Sequence, residues 1–212
     1  MIRGHQHDYL GMILDYSTMG EVKIDMTYYV EAMVEDFEHE YGEINKRKRE
    51  TAVTPHTAAL FTVDASPTLE DKRRQSFHAY VARALFLCKR ARPDIQPVIA
   101  FLSTRVKEPS EQDWYKLIRL MRYLKLTKED IRSISIDDLS IARFSIDAAF
   151  AVHPDMKSHS GMTMKMGKGV ISSGSTKQKI NTRCSTTAEL VAVDDYASIM
   201  LWAREFLRAQ GY

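Results

Sequence analysis

Only two cysteines, Cys88 and Cys184, occur in the 212-residue chain, so no disulfide framework holds it together and no cysteine-based zinc cage forms. No apolar run approaches the ~20 residues of a membrane helix, which excludes a spanning segment and a membrane partner. The opening "MIRGHQHDYL" lacks the continuous apolar core of a secretory signal. Net charge is small as well: 30 Lys and Arg against 28 Asp and Glu leave +2, too little to name a polyanionic partner. Three catalytic fingerprints are missing, namely a dinucleotide G-x-G-x-x-G, a zinc-protease H-E-x-x-H and a nucleophile elbow G-x-S-x-G.

The charge that is present is segregated. Residues 25 to 43 carry Asp25, Glu31, Glu35, Asp36, Glu38, Glu40 and Glu43, while "NKRKRE", "DKRRQ" and "LCKRARP" are basic. A solvated charge run is the common explanation of such blocks; a face that meets a polyanion is the alternative. At 44% hydrophobic and 27% charged, the composition is that of a globular chain long enough for one large or two small domains.

Periodicity predicts an α+β chain. A β-hairpin runs through "HDYLGMILDYSTMGEVKIDM" with its turn at "STMG", and Tyr29, Val30, Met33, Val34 and Phe37 follow at helical spacing up to a stop at Gly42. Residues 43 to 71 read as loop around one short apolar element, "AALFTV". Three helices come next. "SFHAYVARALFLCKRA" is apolar on most of its circumference and reads as buried, "DIQPVIAFLSTRV" tolerates Pro97 in its first turn, and "PSEQDWYKLIRLMRYLKLT" has Ser110 as N-cap. In the third, Trp114, Leu117, Ile118, Met121 and Leu124 form a stripe, and Lys116, Arg119, Arg122 and Lys125 recur at steps of three on another face. Near residue 130 the pattern changes to alternation. "SISIDDLSIARFSIDAAFAV" reads as two strands, "HPDMKSHSG", "MGKG" and "SSGSTKQ" as turns, and Thr186 to about Gln210 as a helix with Leu190, Val193, Ala197, Met200, Leu201 and Phe206 on one side. The division expected is 1–130 and 131–212.

Each candidate for chemistry has a plain competitor. "HQHD" is two surface histidines rather than a metal site. "GMTMKMGKG" fails as a phosphate loop, because five residues precede its Gly-Lys and Gly169 stands where Ser or Thr is required. Asp147 sits within an apolar strand, where burial without a partner would cost several kcal/mol; exposure on the solvent face is the simpler reading. Thr186 with Glu189 three residues later spells a capping box. Asp137–Asp138 and Asp194–Asp195 are solvated positions or, alternatively, divalent-cation ligands.

Taken in order, "SIDAAFAVHPDMKSHSG" and "GKGVISSGSTKQKINTRCSTTAELVAVDD" resemble the ribonuclease H domain of copia-type retrotransposon Pol polyproteins, the "KQ" followed by "STTAE" being the distinctive part. "HDYLGM" is similar to the hairpin closing the reverse transcriptase palm, and "TP", "ARPDI", "LS" and "WYKLIRLMRYLKLT" match landmarks between palm and ribonuclease H. The resemblance implies reverse transcriptase palm end, thumb and connection in 1–130 and an incomplete ribonuclease H-like sheet-and-helix domain in 131–212. By motif match, Asp147 and Glu189 become catalytic ligands for Mg²⁺ or Mn²⁺, whose ions activate water and stabilise the leaving oxygen. Ser185 and Thr186 offer donors to a phosphate, Tyr9 and Gly11 lie in a primer-grip-like hairpin, and Lys116, Arg119 and Arg122 track the backbone of an RNA–DNA hybrid or DNA duplex. Thr187 and Ala149 depart from the usual pattern, which has glutamate at the first and aspartate or serine at the second. In the family, the polymerase Tyr-x-Asp-Asp hairpin lies upstream of "HDYLGM" and the later ribonuclease H carboxylates lie beyond "LRAQGY". The expectation is therefore a polyprotein fragment, inactive alone, with weak metal binding, partnered by other parts of the polyprotein and located in the cytoplasm, a virus-like particle or the nucleus. The competing expectation is a non-catalytic nucleic-acid-binding or interaction remnant.

Overall fold

A computed structural model describes residues 4–44 and 52–212; the basic "NKRKRE" run lies outside the described residues. The fold is α+β, with five helices and two antiparallel sheets among these residues. The chain divides into two compact units, one taking in the N-terminal residues to His7, Leu14–Lys23 and Arg132–Tyr212, the other Asp8–Ile13 and Ile24–Ile131. Among the described residues no helix is long and apolar enough to cross a membrane.

Three strands open the chain, not two. β1 (Gln6–Tyr9), β2 (Met12–Asp15) and β3 (Glu21–Asp25) form a meander that β4 (Arg132–Ser135) extends, in the order β1-β2-β3-β4. The additional turn is Leu10–Gly11, with φ of 51° and 73°. Two successive positive φ values give a tight turn whose twist matches the flanking strands, a signal hidden because Leu10 reads as a strand residue.

The helical unit consists of α1 (Thr27–Tyr41), α2 (Asp71–Arg90), α3 (Gln96–Arg105) and α4 (Glu111–Leu126). α1 buries Val30, Met33, Val34 and Phe37 and ends at Gly42 (φ 84°), whose N–H reaches Glu38 O at 2.8 Å. α2 begins earlier than its apolar residues suggest and buries one face only, through Phe77, Tyr80, Val81, Ala84, Leu87 and Cys88, leaving Leu85 exposed. α3 follows a 3-10 turn at Pro93–Ile95 and carries Pro97 near its start, where a missing N–H costs nothing. α4 has the capping box at Ser110 and Asp113 and buries Leu120 in addition to Trp114, Leu117, Met121 and Leu124. Phe37 stacks on Trp114 at 5.6 Å and meets Tyr80 edge-on at 4.9 Å, so aromatic packing joins α1, α2 and α4. "AALFTV" forms turns rather than a regular element, with Leu60 buried.

In the other unit β5 (Arg143–Ala149), β6 (His159–Lys165) and β7 (Ser172–Lys177) make a three-stranded antiparallel sheet covered on one face by α5 (Ser185–Ala209). Met162, Met164, Met166, Tyr196 and Ala203 form its core, with Phe144, Ile146, Ile199 and Leu207 packed against them. "SSGSTKQ" is a strand, not a turn. Its glycine is there for space: a Cβ on Gly174 would come within 2.3 Å of the Tyr196 ring, so α5 approaches β7 only over a bare backbone. The glycines of "MGKG" serve the same purpose, since a Cβ on Gly169 (φ 81°) would meet Ser133 O at 2.0 Å. Ser135 N–H to Lys168 O (2.8 Å) and Asp137 N–H to Met166 O (2.9 Å) continue that close approach.

Candidate functional site

β5 alternates, with Phe144, Ile146 and Ala148 inward and Arg143, Ser145, Asp147 and Ala149 exposed. Because Phe144 and Ile146 pack on the core beneath α5, Asp147 belongs to the opposite, solvent face. In register it faces Gly161 of β6, which in turn faces Ser175 of β7. No side chain at Gly161 crowds the carboxylate.

Glu189 lies in the second turn of α5 and is half-buried. The capping box spelled by Thr186 and Glu189 does not form. Cys184 is the N-cap (φ −156°, ψ 170°) and makes no side-chain cap bond, so Thr186 is already inside the helix. Ser185 and Thr186 are exposed in the first turn, where backbone N–H groups lack intrahelical partners. The exposed Cys184 thiol lies 3.2 Å from Thr187 Oγ1, and the Thr187 hydroxyl, with the backbone of the same turn, holds its pKa below the usual thiol value.

What positions this helix is a buried polar network. Gln178, 1% exposed, donates from Nε2 to Ser160 Oγ (3.0 Å) and Ala188 O (2.9 Å), and its backbone N–H reaches Ser158 O at 2.9 Å. Ser160 Oγ donates to Asp195 Oδ2 at 2.7 Å. The glutamine of "KQ" therefore ties β6 to the first turns of α5, and Asp195, itself exposed, accepts from Ser160 at the edge of the same network. Asp138 accepts from Ser140 N–H at 2.8 Å and Ser140 Oγ at 2.6 Å, which makes it a turn residue.

A second buried cluster has no sequence signal beyond two histidines six residues apart. His153 Nε2 and His159 Nδ1 lie 3.0 Å apart, and His159 Nε2 lies 2.7 Å from Ser175 Oγ. Burial lowers the pKa of both, His159 to about 4, with the neighbouring His153 adding to the effect; Lys177 further lowers His153 while Asp155 opposes it. Both rings are thus neutral at pH 7 and hold the β5–β6 loop onto the sheet.

Among the described residues no three His, Cys, Asp or Glu side chains gather around a common point, and Asp147 leaves β5 on the face that α5 does not cover. Mg²⁺ keeps its water shell unless several carboxylates replace it. The described residues do not complete a cation cage.

The basic face of α4 is spent internally. Lys116 Nζ donates to Thr62 O (2.6 Å), Arg119 Nη2 to Thr54 Oγ1 (2.9 Å), Arg122 Nε to Ile44 O (2.6 Å), and Lys125 Nζ to Glu38 at 2.8 Å. Lys116 also lies over the Phe101 ring at 4.4 Å, and burial lowers its pKa. Lys116, Arg119 and Arg122 fasten loop segments to the helix, and Lys125 ties it to α1. Tyr9, beside the Leu10–Gly11 turn, is exposed.

With this geometry in hand, one similarity stands out. The chain is 25% identical over 215 residues, 98% of its length, to a retrovirus-related Pol polyprotein from transposon TNT 1-94 of Nicotiana tabacum. It spans 16% of that protein, so the likeness concerns one segment of a much longer polyprotein. No protein-family description and no solved structure matches the chain. The similarity supports a retrotransposon Pol polyprotein segment.

Proposed function

We propose that the chain is a reverse transcriptase–ribonuclease H segment of such a polyprotein, with a ribonuclease H-like beginning in β5-β6-β7-α5. The observation that carries this is the order of elements: three antiparallel strands, the first bearing Asp147, followed by a helix packed on one face that bears Glu189 in its second turn. Support comes also from the similarity of 98% of the chain to one segment, 16%, of the tobacco polyprotein. In this reading the parent protein synthesises DNA on a nucleic-acid template and cleaves the RNA of hybrids, while this chain supplies two carboxylates toward a Mg²⁺ or Mn²⁺ site and does not cleave alone. When bound, such ions would activate a water at the scissile phosphate. The residues of this chain contribute backbone and hydroxyl donors at Ser185 and Thr186 to a phosphate.

A second reading, a nucleic-acid-binding element without catalysis, is favoured by the incomplete carboxylate set. Fluorescence anisotropy with a labelled RNA–DNA hybrid tests what the two share. Binding is expected to weaken as salt rises, and to weaken further with Thr186→Glu at fixed salt. Anisotropy that stays flat at every protein concentration excludes both. Hybrid cleavage in Mg²⁺ or Mn²⁺ that disappears with Glu189→Gln would overturn inactivity of the lone chain and establish the catalytic assignment.

A further inference from the structure

β5 is an edge strand. Among the described residues it pairs only with β6, in an unbroken register from Arg143 to Ala149, so one row of its backbone N–H and C=O groups faces away from the sheet. Proteins usually guard such an edge with proline, lysine, a bulge or an inward charge. "RFSIDAA" has no proline, lysine or glycine, and its two charges, Arg143 and Asp147, lie on the face that α5 does not cover. The other edge, β7, carries Gly174 mid-strand and ends in Lys177.

Along β5 the core is open as well. A groove of about 360 Å³ has an apolar floor of Leu139, Ala142, Phe144 and Leu207, residues that pack on the core cluster yet are only part-buried. None of its described lining residues comes from β6 or β7, which puts it on the free side of β5. Arg204 and Arg208 also line it, and each uses one nitrogen on the exposed Glu205, at 2.8 and 3.3 Å. Two guanidinium groups against one carboxylate side chain leave this end of the groove positive.

We propose that an extended peptide segment of another polypeptide docks here as an added strand on β5, with an apolar side chain in the groove and an acidic one beside Arg204 and Arg208. Each part of the site selects one property of that occupant. Only another extended backbone presents N–H and C=O groups at the spacing of the free row. Alternate residues of an added strand point to one face, so every second side chain enters the groove, whose floor takes an aliphatic or aromatic group. The arginine pair selects a carboxylate, which it can meet with charge-assisted hydrogen bonds. A second copy of β5 does not supply one, because on the groove face that strand offers Phe144, Ile146 and Ala148. The inference does not rest on the proposed catalytic ancestry.

A display library of random short peptides, selected on the full chain, is expected to yield proline-free sequences with an apolar residue and an acidic one at alternate positions. When such a peptide is synthesised and added, amide hydrogen exchange should slow at alternate residues of β5. N-methylation of one alternate set of the peptide's amides should weaken binding at least roughly tenfold, while methylation of the other set leaves it unchanged. Arg204→Glu combined with Arg208→Glu should also weaken binding at least roughly tenfold, with an unchanged far-ultraviolet circular dichroism spectrum. The proposal is overturned if no peptide is selected, if the selected peptides protect residues outside β5, or if both methylated sets, or neither, lose affinity. Full affinity after the double charge reversal overturns it too. So does protection of β5 that grows with chain concentration in the absence of peptide, a result that gives the edge to a second copy.

Discussion

Gln178 and the His153–His159 pair show how much of the sheet-and-helix unit rests on single buried polar side chains. Gln178→Leu leaves Ser160 and the Ala188 carbonyl without their partner, so unfolding in urea should show a loss of roughly 1–3 kcal/mol. The histidines make stability depend on acid. Their pKa values are lowered in the fold relative to about 6.5 in the unfolded chain. The neutral form is therefore favoured by folding; its contribution is intact above pH 6.5 and declines as pH falls toward 4, where His159 titrates in the fold. For His159 the loss is on the order of 3 kcal/mol. Denaturation midpoints measured from about pH 7.5 to 4.5, a span that brackets most of this titration, should fall for the natural chain and fall less steeply for His159→Asn; parallel curves would remove the histidine from the acid response. Motif spacing made Asp147 and Glu189 legible as matched carboxylates, and the strand-exposed reading of Asp147 agrees with its position. The histidine pair and the role of Gln178 were not legible, because their partners lie on other strands and loops and no periodicity encodes a tertiary hydrogen bond.

At the scale of elements, local chemistry placed most helices. Ser110 as N-cap, Pro97 in a first turn and Gly42 as a stop act through groups within four residues of themselves, and all three do so in the structure. Ser110→Ala should cost about 1 kcal/mol, read as a lowered thermal midpoint. The misread elements were those where glycine answers to a neighbour. Gly174 looks like a turn residue along the chain, yet it sits mid-strand beneath Tyr196. Gly174→Ala should displace the ring, destabilise the unit by roughly 1–3 kcal/mol and alter the tyrosine near-ultraviolet circular dichroism. A fully native spectrum and stability would show that α5 can shift at no cost.

For the whole molecule, two compact units with separate cores lead to a calorimetric expectation. Each unit buries its own apolar cluster, so substitutions should act on different parts of the heat-absorption profile. Gly174→Ala should lower the transition of the β5-β6-β7-α5 unit, and Asp113→Ala, which removes the buried acceptor of Ser110 and of Arg105 (3.0 Å), that of the helical unit. A single peak moved equally by both would mean that the units unfold as one. The expected change of texture near residue 130 lies close to the division after Ile131, but residues 14–23 join the later unit because β3 pairs with β4, a pairing between segments more than a hundred residues apart in sequence.

What the amino-acid order determined by itself is local: the helical and strand periods, the caps and stops, and a likeness to a segment of one Pol polyprotein. Those depend on contacts within a turn or on identity alone. Only the tertiary structure decided which face each element buries. Along α5 the sequence places large apolar residues around most of the helix, so periodicity does not single out the side that packs. The side that packs carries Ala188, Ala192, Tyr196, Ile199, Ala203 and Leu207, because the sheet beneath it supplies Met162, Met164 and the bare backbone of Gly174, where small residues let the helix approach closely. The basic stripe of α4 was decided the same way. Its charge is written in the sequence, but the carbonyls of Ile44 and Thr62 and the Thr54 hydroxyl that occupy it come from chain folded back from far away.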